Sequence, residues 1–140
     1  MFAPTKNRFF MFTTTITPKF GDTDALRHIN NNTLTEWFEL ARNPIFGFFN
    51  PTYNLDKWNL ILVHLDLDFL SQIYYGKDVE VRTWISRIGR SSFEVYQEAW
   101  QNEIVCVKGK TVIVYFDFAA QKSEPIPDSV RPLLEEHVFF

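Results

Sequence analysis

The hydrophobic residues of this chain change their spacing partway along it, and no other feature constrains the fold as strongly. Between residues 34 and 48 the large apolar side chains recur at helical intervals, at Leu34, Trp37, Phe38, Ala41, Ile45 and Phe48. Between residues 63 and 100 apolar residues alternate with polar ones, which is typical of half-buried strands, and residues 104–118 form a further long run rich in Val, Ile and Tyr. Turn-forming pairs at 76–77, 89–90 and 101–102 divide this region into four strand-like runs. Connections this short predict an antiparallel meander.

Two shorter segments complete the predicted architecture. Phe, Thr and Ile dominate residues 8–19, which predicts a first strand. The central helix should begin at a capping box at Thr33 or slightly earlier at an Asn, and Pro44 should kink or stop it. Residues 127–137 predict a short final helix. The chain is therefore expected to be an α+β protein, with an antiparallel β-sheet of about five strands wrapped around one long central α-helix.

Composition argues against several classes of function. The 140 residues fit a single domain, 1–140, and a net charge of −3 argues against a nucleic-acid-binding surface. No run of residues reaches the roughly 18 to 20 apolar positions of a membrane span, and the first residues show no secretory pattern. The single cysteine, Cys106, lies in an apolar run, which indicates a buried thiol and a reducing compartment. We therefore expect a cytoplasmic protein without nucleic-acid or membrane partners.

The loop before the central helix, residues 20–32, concentrates the groups that could carry chemistry. Its sequence, FGDTDALRHINNN, holds two carboxylates, an imidazole and three amides. A helix N-terminus presents free N–H groups that stabilise developing negative charge, and a nearby carboxylate can act as nucleophile or general base. Asp, Asn and Thr are also what an ordinary capped loop contains, so composition alone leaves both interpretations open. Asp22 and Asp24 lack the further carboxylate and glycine of a calcium loop, so no metal site is predicted.

A resemblance to a known family separates these interpretations. The stretch FGDTDALRHINN, followed by WFELAR, resembles the loop and helix of hotdog-fold acyl-CoA thioesterases of the 4-hydroxybenzoyl-CoA thioesterase family. YYGKDVEVRTWISRIGRSSFEVYQEAW resembles the part of that family in which a strand opens after Gly-Asp and the next turn reads Gly-Arg-Ser-Ser. GKTVIVYFD and PIPDSVR resemble its last strand and the segment after it. The resemblance implies a hotdog fold, hydrolysis of an acyl-CoA to a free acid and CoA, no cofactor, and a homodimer or homotetramer.

The same resemblance assigns roles within the loop. It places the essential carboxylate at Asp24, as nucleophile or general base. Backbone N–H groups around Asn30 and Asn31, where the helix starts, would polarise the thioester carbonyl. His28 and Asn31 would shape the site or position water.

Two departures from the family pattern bear on the loop and on the acyl group. Arg27 stands where a Gly is common, and Leu34 stands where many members carry Tyr. Some hotdog thioesterases use a carboxylate on the helix, which makes Glu39 a second candidate. Glu39 and Arg42 are three residues apart, however, and we expect them to pair on the helix surface.

The turn after the third predicted strand is a candidate site for the CoA part of the substrate. Arg87 and Arg90 could form charge-assisted bonds with phosphates, and Ser91 and Ser92 could add hydroxyl contacts. A solvated turn that carries arginines accounts for the same residues equally well.

Alternatives to the thioesterase remain at the level of the sequence. A hotdog hydratase or dehydratase would act on similar thioesters, but it would place its His, or Asp-His pair, in a setting other than the H-x-N-N loop. A non-catalytic hotdog protein would bind thioesters without turnover. The acyl group and the choice between CoA and an acyl-carrier protein stay open.

Overall fold

The computed structural model describes residues 11–139; residues 1–10 and 140 are outside the described part. The described residues form a sheet of β1 (Phe12–Ile16), β2 (Leu60–Phe69), β3 (Val79–Ile88), β4 (Ser92–Gln101), β5 (Ile104–Asp117) and β6 (Lys122–Ser123). Its order is β1-β3-β4-β5-β2, β6 pairs with β5, and every pair is antiparallel. The predicted meander is confirmed for β3, β4 and β5 but is wrong for β2, which pairs with β5 at the edge of the sheet and not with β3, the next strand along the chain. The predicted first strand, residues 8–19, is confirmed from Phe12 to Ile16. Residues 8–10 are outside the described part, and residues 17–19, which include Pro18, lie beyond the end of the strand.

The central helix is divided where one long helix was expected. The described helices are α1 (Asn31–Ala41), α2 (Asn43–Phe49) and α3 (Arg131–Glu135). The break falls at Arg42, and Pro44 occupies the first turn of α2. Proline has no N–H to continue the ladder of α1 and favours the start of a new helix, so the chain restarts there. The α+β class is confirmed, and the single long helix is not observed.

The final helix is shorter than predicted. It covers Arg131–Glu135 rather than residues 127–137, and Val130 is its N-cap residue. Pro132 lies in its first turn, where the fixed φ of proline suits a helix start. None of the helices within residues 11–139 is both long and apolar enough to cross a membrane.

The apolar face of α1 packs on the sheet and forms the first of two core clusters. That face is buried, as the helical spacing predicts, at Leu34, Trp37, Phe38 and Ala41. Gly109 of β5 allows the close approach, since a β-carbon there would lie 2.8 Å from Cε2 of Phe38. Cys106 is buried in the same cluster, and burial raises the pKa of its thiol.

The β2 strand lies at one end of the sheet order and contacts only β5 among the described strands. Of the apolar residues in the predicted alternation, Leu65 and Leu67 are half-buried, whereas Val63 and Phe69 are exposed, as are Ile61 and Leu62. The register with β5 shifts between Leu62 and His64. An exposed apolar edge strand of 10 residues is a surface that natural proteins usually cover.

Candidate active site

Backbone hydrogen bonds hold the loop before α1 in a closed shape. The N–H of Asp24 donates to the carbonyl of His28 at 2.9 Å, and Thr23 and Ile29 form an isolated antiparallel bridge. The N–H of Ile29 donates to the carbonyl of Ile73 at 2.8 Å, which ties the loop to the chain before β3. The position of Asp24 is thus fixed by main-chain contacts.

The carboxylate of Asp24 is half-buried and uses one oxygen to stabilise the loop. Oδ1 accepts the N–H of Leu26 at 2.8 Å and the N–H of His28 at 3.3 Å. Oδ2 has no hydrogen-bond partner within residues 11–139. One oxygen therefore orients the group, and the other is available to a ligand or to water.

The loop requires a left-handed residue at its tip. Arg27 has φ of +70°, and its N–H donates to the carbonyl of Asp24 at 3.2 Å. Glycine adopts this conformation without strain, which explains physically why a Gly is common there. The departure at Arg27 therefore leaves the loop conformation intact at a cost in strain.

The other carboxylate of the loop has a different environment. Asp22 is buried, and Lys19 donates to it from Nζ at 2.6 Å and from its backbone N–H at 2.9 Å. Burial raises the pKa of Asp22, but the hydrogen bonds and charge of Lys19 outweigh burial and leave the pKa below its ordinary value. Asp22 therefore acts as a structural anchor of the loop.

The N-terminus of α1 leaves one backbone donor without an acceptor. The side chain of Asn30 caps the helix by accepting the N–H of Asn32 at 2.9 Å, and its carbonyl accepts the N–H of Thr33 at 2.9 Å. The N–H of Asn30 itself donates to the carbonyl of Asp22. The N–H of Asn31 has no acceptor in the described part of the chain. Backbone N–H groups around Asn30 and Asn31 were predicted to polarise the thioester carbonyl. Of these two, the N–H of Asn31 is available and the N–H of Asn30 is already used.

A cavity of about 400 Å³ opens beside this helix start. Its wall includes Ile29, Asn31, Leu34, Phe69, Leu70 and Tyr74. The ring of His28 contacts the ring of Tyr74 edge-on, with centroids 5.4 Å apart. Asn31 thus lines the cavity, whereas Asp24 and His28 belong to the adjoining loop and do not line it; His28 touches the lining residue Tyr74.

The predicted CoA-contacting residues lie together in the turn between β3 and β4. Arg87 and Arg90 are exposed, whereas Ser91 and Ser92 are half-buried. Neither arginine forms an ion pair with a carboxylate in residues 11–139. The two cations are therefore available to an anionic ligand.

Arg131 belongs to the same turn and was missed by the sequence reasoning. Its Nη2 donates to the carbonyl of Gly89 at 2.9 Å and to the carbonyl of Arg90 at 3.3 Å. It fixes the turn from α3 and adds a third positive charge. In the sequence, only the family resemblance of the PIPDSVR segment pointed toward Arg131. The contact itself joins residues far apart in the chain, so no local pattern predicts it.

The turn and the Asp24 loop lie at opposite ends of the sheet. The loop packs in one cluster with Ile73 and Val79, at the start of β3, whereas the turn follows Ile88 at its end. Ten residues of strand separate the two ends by about 30 Å. A single chain therefore does not bring the predicted catalytic and CoA-contacting residues together.

The predicted surface pair of Glu39 and Arg42 is wrong. Arg42 is only 2% exposed, and its Nη1 donates to Oε1 of Gln97 at 3.2 Å and to Oγ1 of Thr111 at 3.4 Å. No ion pair joins it to Glu39, which stays exposed. Helix α1 ends just before Arg42, so its side chain turns toward the sheet instead of lying along the helix surface. Within residues 11–139, no cluster of His, Cys, Asp and Glu side chains could hold a metal ion.

Comparisons with known proteins agree on one family. The family described as thioesterase-like superfamily matches residues 18–134. A 1,4-dihydroxy-2-naphthoyl-CoA hydrolase from Nostoc punctiforme is 27% identical over an alignment of 133 positions, which covers 89% of this chain and 86% of the relative. A solved structure described as a predicted thioesterase from Bacillus stearothermophilus is 46% identical, with a TM-score of 0.90 over 91% of this chain and 96% of that one.

A thioesterase from Thermus thermophilus, solved in complex with coenzyme A and Zn, is 26% identical, with a TM-score of 0.79 over 88% of this chain and 90% of that one. These matches confirm the family that the sequence resembles and the enzyme class, thioester hydrolase. The match extends over most of the chain, from before the Asp24 loop to α3. The chain belongs to the thioesterase-like superfamily.

Proposed function

We propose that this protein hydrolyses an acyl-CoA thioester to a free acid and CoA, with Asp24 as nucleophile or general base. One observation carries the proposal. The half-buried carboxylate of Asp24 has one oxygen without a hydrogen-bond partner, and it lies in the loop before α1, whose first N–H, at Asn31, has no acceptor within residues 11–139. Two relatives, one a CoA hydrolase and one a thioesterase solved with coenzyme A, support a CoA thioester as the substrate.

The chemistry follows from these two groups. The thioester oxygen accepts the N–H of Asn31, and the partial positive charge of the helix start stabilises the negative charge that develops there. Asp24 then either attacks the carbonyl carbon or removes a proton from an attacking water. Attack by Asp24 breaks the C–S bond, releases CoA as the thiolate and leaves a mixed anhydride, which water hydrolyses. His28 contributes by holding the Tyr74 wall of the cavity.

A homodimer would bring the Asp24 loop of one subunit to the same end of the sheet as the β3–β4 turn of the other. Two copies of β2 can pair antiparallel about a two-fold axis, which covers the exposed edge. In such a pair the two β2 strands run in opposite directions, so one end of the joined sheet contains the Asp24 end of one subunit and the opposite end of the other subunit. The Asp24 loop of one subunit then shares an end with Arg87, Arg90, Ser91 and Ser92 of the other, whose cations suit the phosphates of CoA. A tetramer would consist of two such dimers.

The experiment is a panel of acyl-CoA substrates with detection of free thiol, followed by one turnover in water enriched in heavy oxygen. Thiol release at rates well above buffer supports the hydrolase. Heavy oxygen in the carboxylate of Asp24 supports attack by Asp24. Label confined to the product acid is the result both of activation of water and of hydrolysis of the anhydride at its acyl carbon. Binding without thiol release would instead support a non-catalytic protein, and hydration of an enoyl-CoA would support a hydratase.

A further inference from the structure

The free edge of β2 carries apolar and polar side chains on opposite faces. Leu65 and Leu67 are half-buried on the face toward α1, since Leu67 pairs with Gly109, which α1 approaches closely. His64 and Asp66 alternate with them on the other face and are exposed. Nε2 of His64 lies 2.9 Å from Oδ2 of Asp66, and the two side chains are 59% and 51% exposed. The proposed dimer would bring this pair against its own copy.

Geometry limits the ways in which two copies of β2 can pair. In an antiparallel ladder, side chains directly opposite each other lie on the same face of the sheet. Successive residues point to opposite faces, so residues opposite each other must be an even number of positions apart in the chain. The two-fold axis therefore passes through one residue, which lies opposite its own copy. The pairing of β2 with β5 is regular from His64 to Phe69, and an axis at Phe69, the last residue, leaves almost no ladder.

Charge distinguishes the remaining registers. An axis at Asp66 or Asp68 sets two carboxylates directly opposite each other, and an axis at Leu67 sets Asp66 opposite Asp68 of the partner subunit. An axis at His64 sets two imidazoles opposite each other. Only an axis at Leu65 sets His64 opposite Asp66 of the partner subunit, and the symmetry forms this pair twice. Opposite charges in these positions are favourable and like charges are not, and a neutral imidazole can also donate its N–H to a carboxylate.

The apolar face of β2 fits the same register. Leu65 then packs against its own copy on the α1 side of the joined sheet. The register of β2 with β5 shifts at Val63, as it does at a β-bulge. Past this shift, Leu62, which is 46% exposed, comes near Leu67 of the partner subunit. Pairing therefore covers apolar surface that one chain leaves exposed.

We propose that β2 is a self-complementary interface with Leu65 on the two-fold axis, in which His64 of each subunit pairs with Asp66 of the other. The inference rests on the dimer of the proposed function and fixes its register. Phe69, in the wall of the Asn31 cavity, then lies beside the first residues of the partner's β2. The partner subunit thus closes that side of the cavity.

Three single cysteine variants in a Cys106→Ala background test the register, namely Leu65→Cys, Asp66→Cys and Leu67→Cys. A cysteine at the axial residue faces its own copy with β-carbons about 5 Å apart, so a small adjustment allows a disulfide. The two copies of a residue off the axis are shifted along the ladder by about 7 Å or more. Under a mild oxidant, Leu65→Cys should form the disulfide-linked dimer at least about tenfold faster than the other two. Faster cross-linking at 66 or 67, or none at all three positions, would overturn the register.

Exchange of the two charged residues gives a second test, without cysteine chemistry. His64→Asp sets a carboxylate opposite Asp66 of the partner subunit, so the dissociation constant of the dimer should rise about tenfold or more. The double variant His64→Asp with Asp66→His restores both pairs and should return this constant to within about threefold of the unsubstituted protein. The contact within one strand exists in monomer and dimer alike, so it changes the constant little. A double variant no tighter than His64→Asp contradicts the pairing.

Thiol release separates this inference from the proposed hydrolase. If Leu65→Cys cross-links fastest but the unsubstituted protein releases no thiol from any acyl-CoA, the register is supported and the hydrolase is not. If the unsubstituted protein releases thiol but cross-linking is fastest at another position, the hydrolase stands and the register is overturned. A protein that sedimentation shows to be monomeric at every concentration also overturns the register.

Discussion

Asp24 and His28 are joined twice through the main chain of His28, whose carbonyl accepts the N–H of Asp24 at 2.9 Å and whose N–H donates to Oδ1 of Asp24 at 3.3 Å. The loop therefore needs an oxygen acceptor at position 24, but it does not need a charge there. The proposed reaction needs the charge as well. A substitution that keeps the oxygen and removes the charge distinguishes the two roles.

Asp24→Asn is that substitution. Its amide oxygen can still accept the N–H groups of Leu26 and His28, so the melting temperature should change by only a few degrees. Hydrolysis should fall about 100- to 10,000-fold, because an amide is neither a nucleophile nor a base at neutral pH. Thiol release and thermal unfolding measured on the same samples check both expectations.

Asp22→Asn is the matched control two residues away. It removes the charge that Lys19 contacts, so it should lower stability while leaving thiol release within about threefold of the unsubstituted protein. If Asp22→Asn abolishes hydrolysis and Asp24→Asn does not, the assignment of the two carboxylates is reversed.

The same control variant predicts a pH dependence. The pKa of Asp22 lies below its ordinary value of 3.8 in the folded protein, so its ionised form stabilises the fold above that value. This contribution is lost as the pH falls through the folded-state pKa. The difference in unfolding free energy between the unsubstituted protein and Asp22→Asn should stay constant from about pH 7 to pH 5 and shrink below about pH 4. Urea unfolding across this range measures it, and a difference that grows in acid is inconsistent with the ion pair.

Arg27→Gly should stabilise the protein. The left-handed conformation at φ of +70° costs a residue with a β-carbon about 1–2 kcal/mol, and glycine removes this cost. Glycine also makes the unfolded chain more flexible, which offsets part of the gain in stability. The net gain should be about 0.5–1 kcal/mol, or about 2–4 °C in melting temperature. Arg27→Ala keeps the β-carbon and should change little. Calorimetry on both variants checks the prediction, and an equal gain in Arg27→Ala would mean that the guanidinium, not the backbone, carries the strain.

Local patterns in the sequence were enough to locate most elements, because their causes are local. Helix α1 begins after Asn30 since a side-chain oxygen there caps it, and Pro44 ends its continuation. Alternation predicted β3 and β4, and a long run rich in Val, Ile and Tyr predicted β5. One side of each of these strands packs against the helix. The loop residues were assigned from the family motif rather than from spacing.

The errors and omissions involve contacts between distant residues. Arg42 three residues after Glu39 fits a helix-surface pair, but its partners Gln97 and Thr111 lie 55 and 69 positions away. Arg131 reaches the carbonyl of Gly89 over 42 positions. No local pattern encodes such contacts, so the buried position of Arg42 and the role of Arg131 could not be predicted from spacing.

Gly109→Ala should destabilise the contact between α1 and β5. The added β-carbon would lie 2.6 Å from Cδ2 of Leu67 and 2.8 Å from Cε2 of Phe38, so the helix or the strand must shift. Overpacking of this kind costs about 1–3 kcal/mol. Gly21→Ala is the control, because nothing lies within 4 Å of its β-carbon position. Chemical unfolding compares them, and equal stability of the two variants would show that the core yields without strain.

Val63→Lys tests the dimer on which the two-subunit site depends. Val63 is 56% exposed on the free edge of β2, so a lysine is tolerated in one chain, but in the dimer it would bring two like charges near the two-fold axis. We expect the dimer to weaken at least about tenfold and thiol release to fall with it, since loop and turn come from different subunits. Ile104→Lys, at a residue 54% exposed at the start of β5, should leave both unchanged. Sedimentation over a dilution series measures assembly. A Val63→Lys dimer as tight as that of Ile104→Lys would place the interface elsewhere, and a fully active monomer would remove the need for a second subunit.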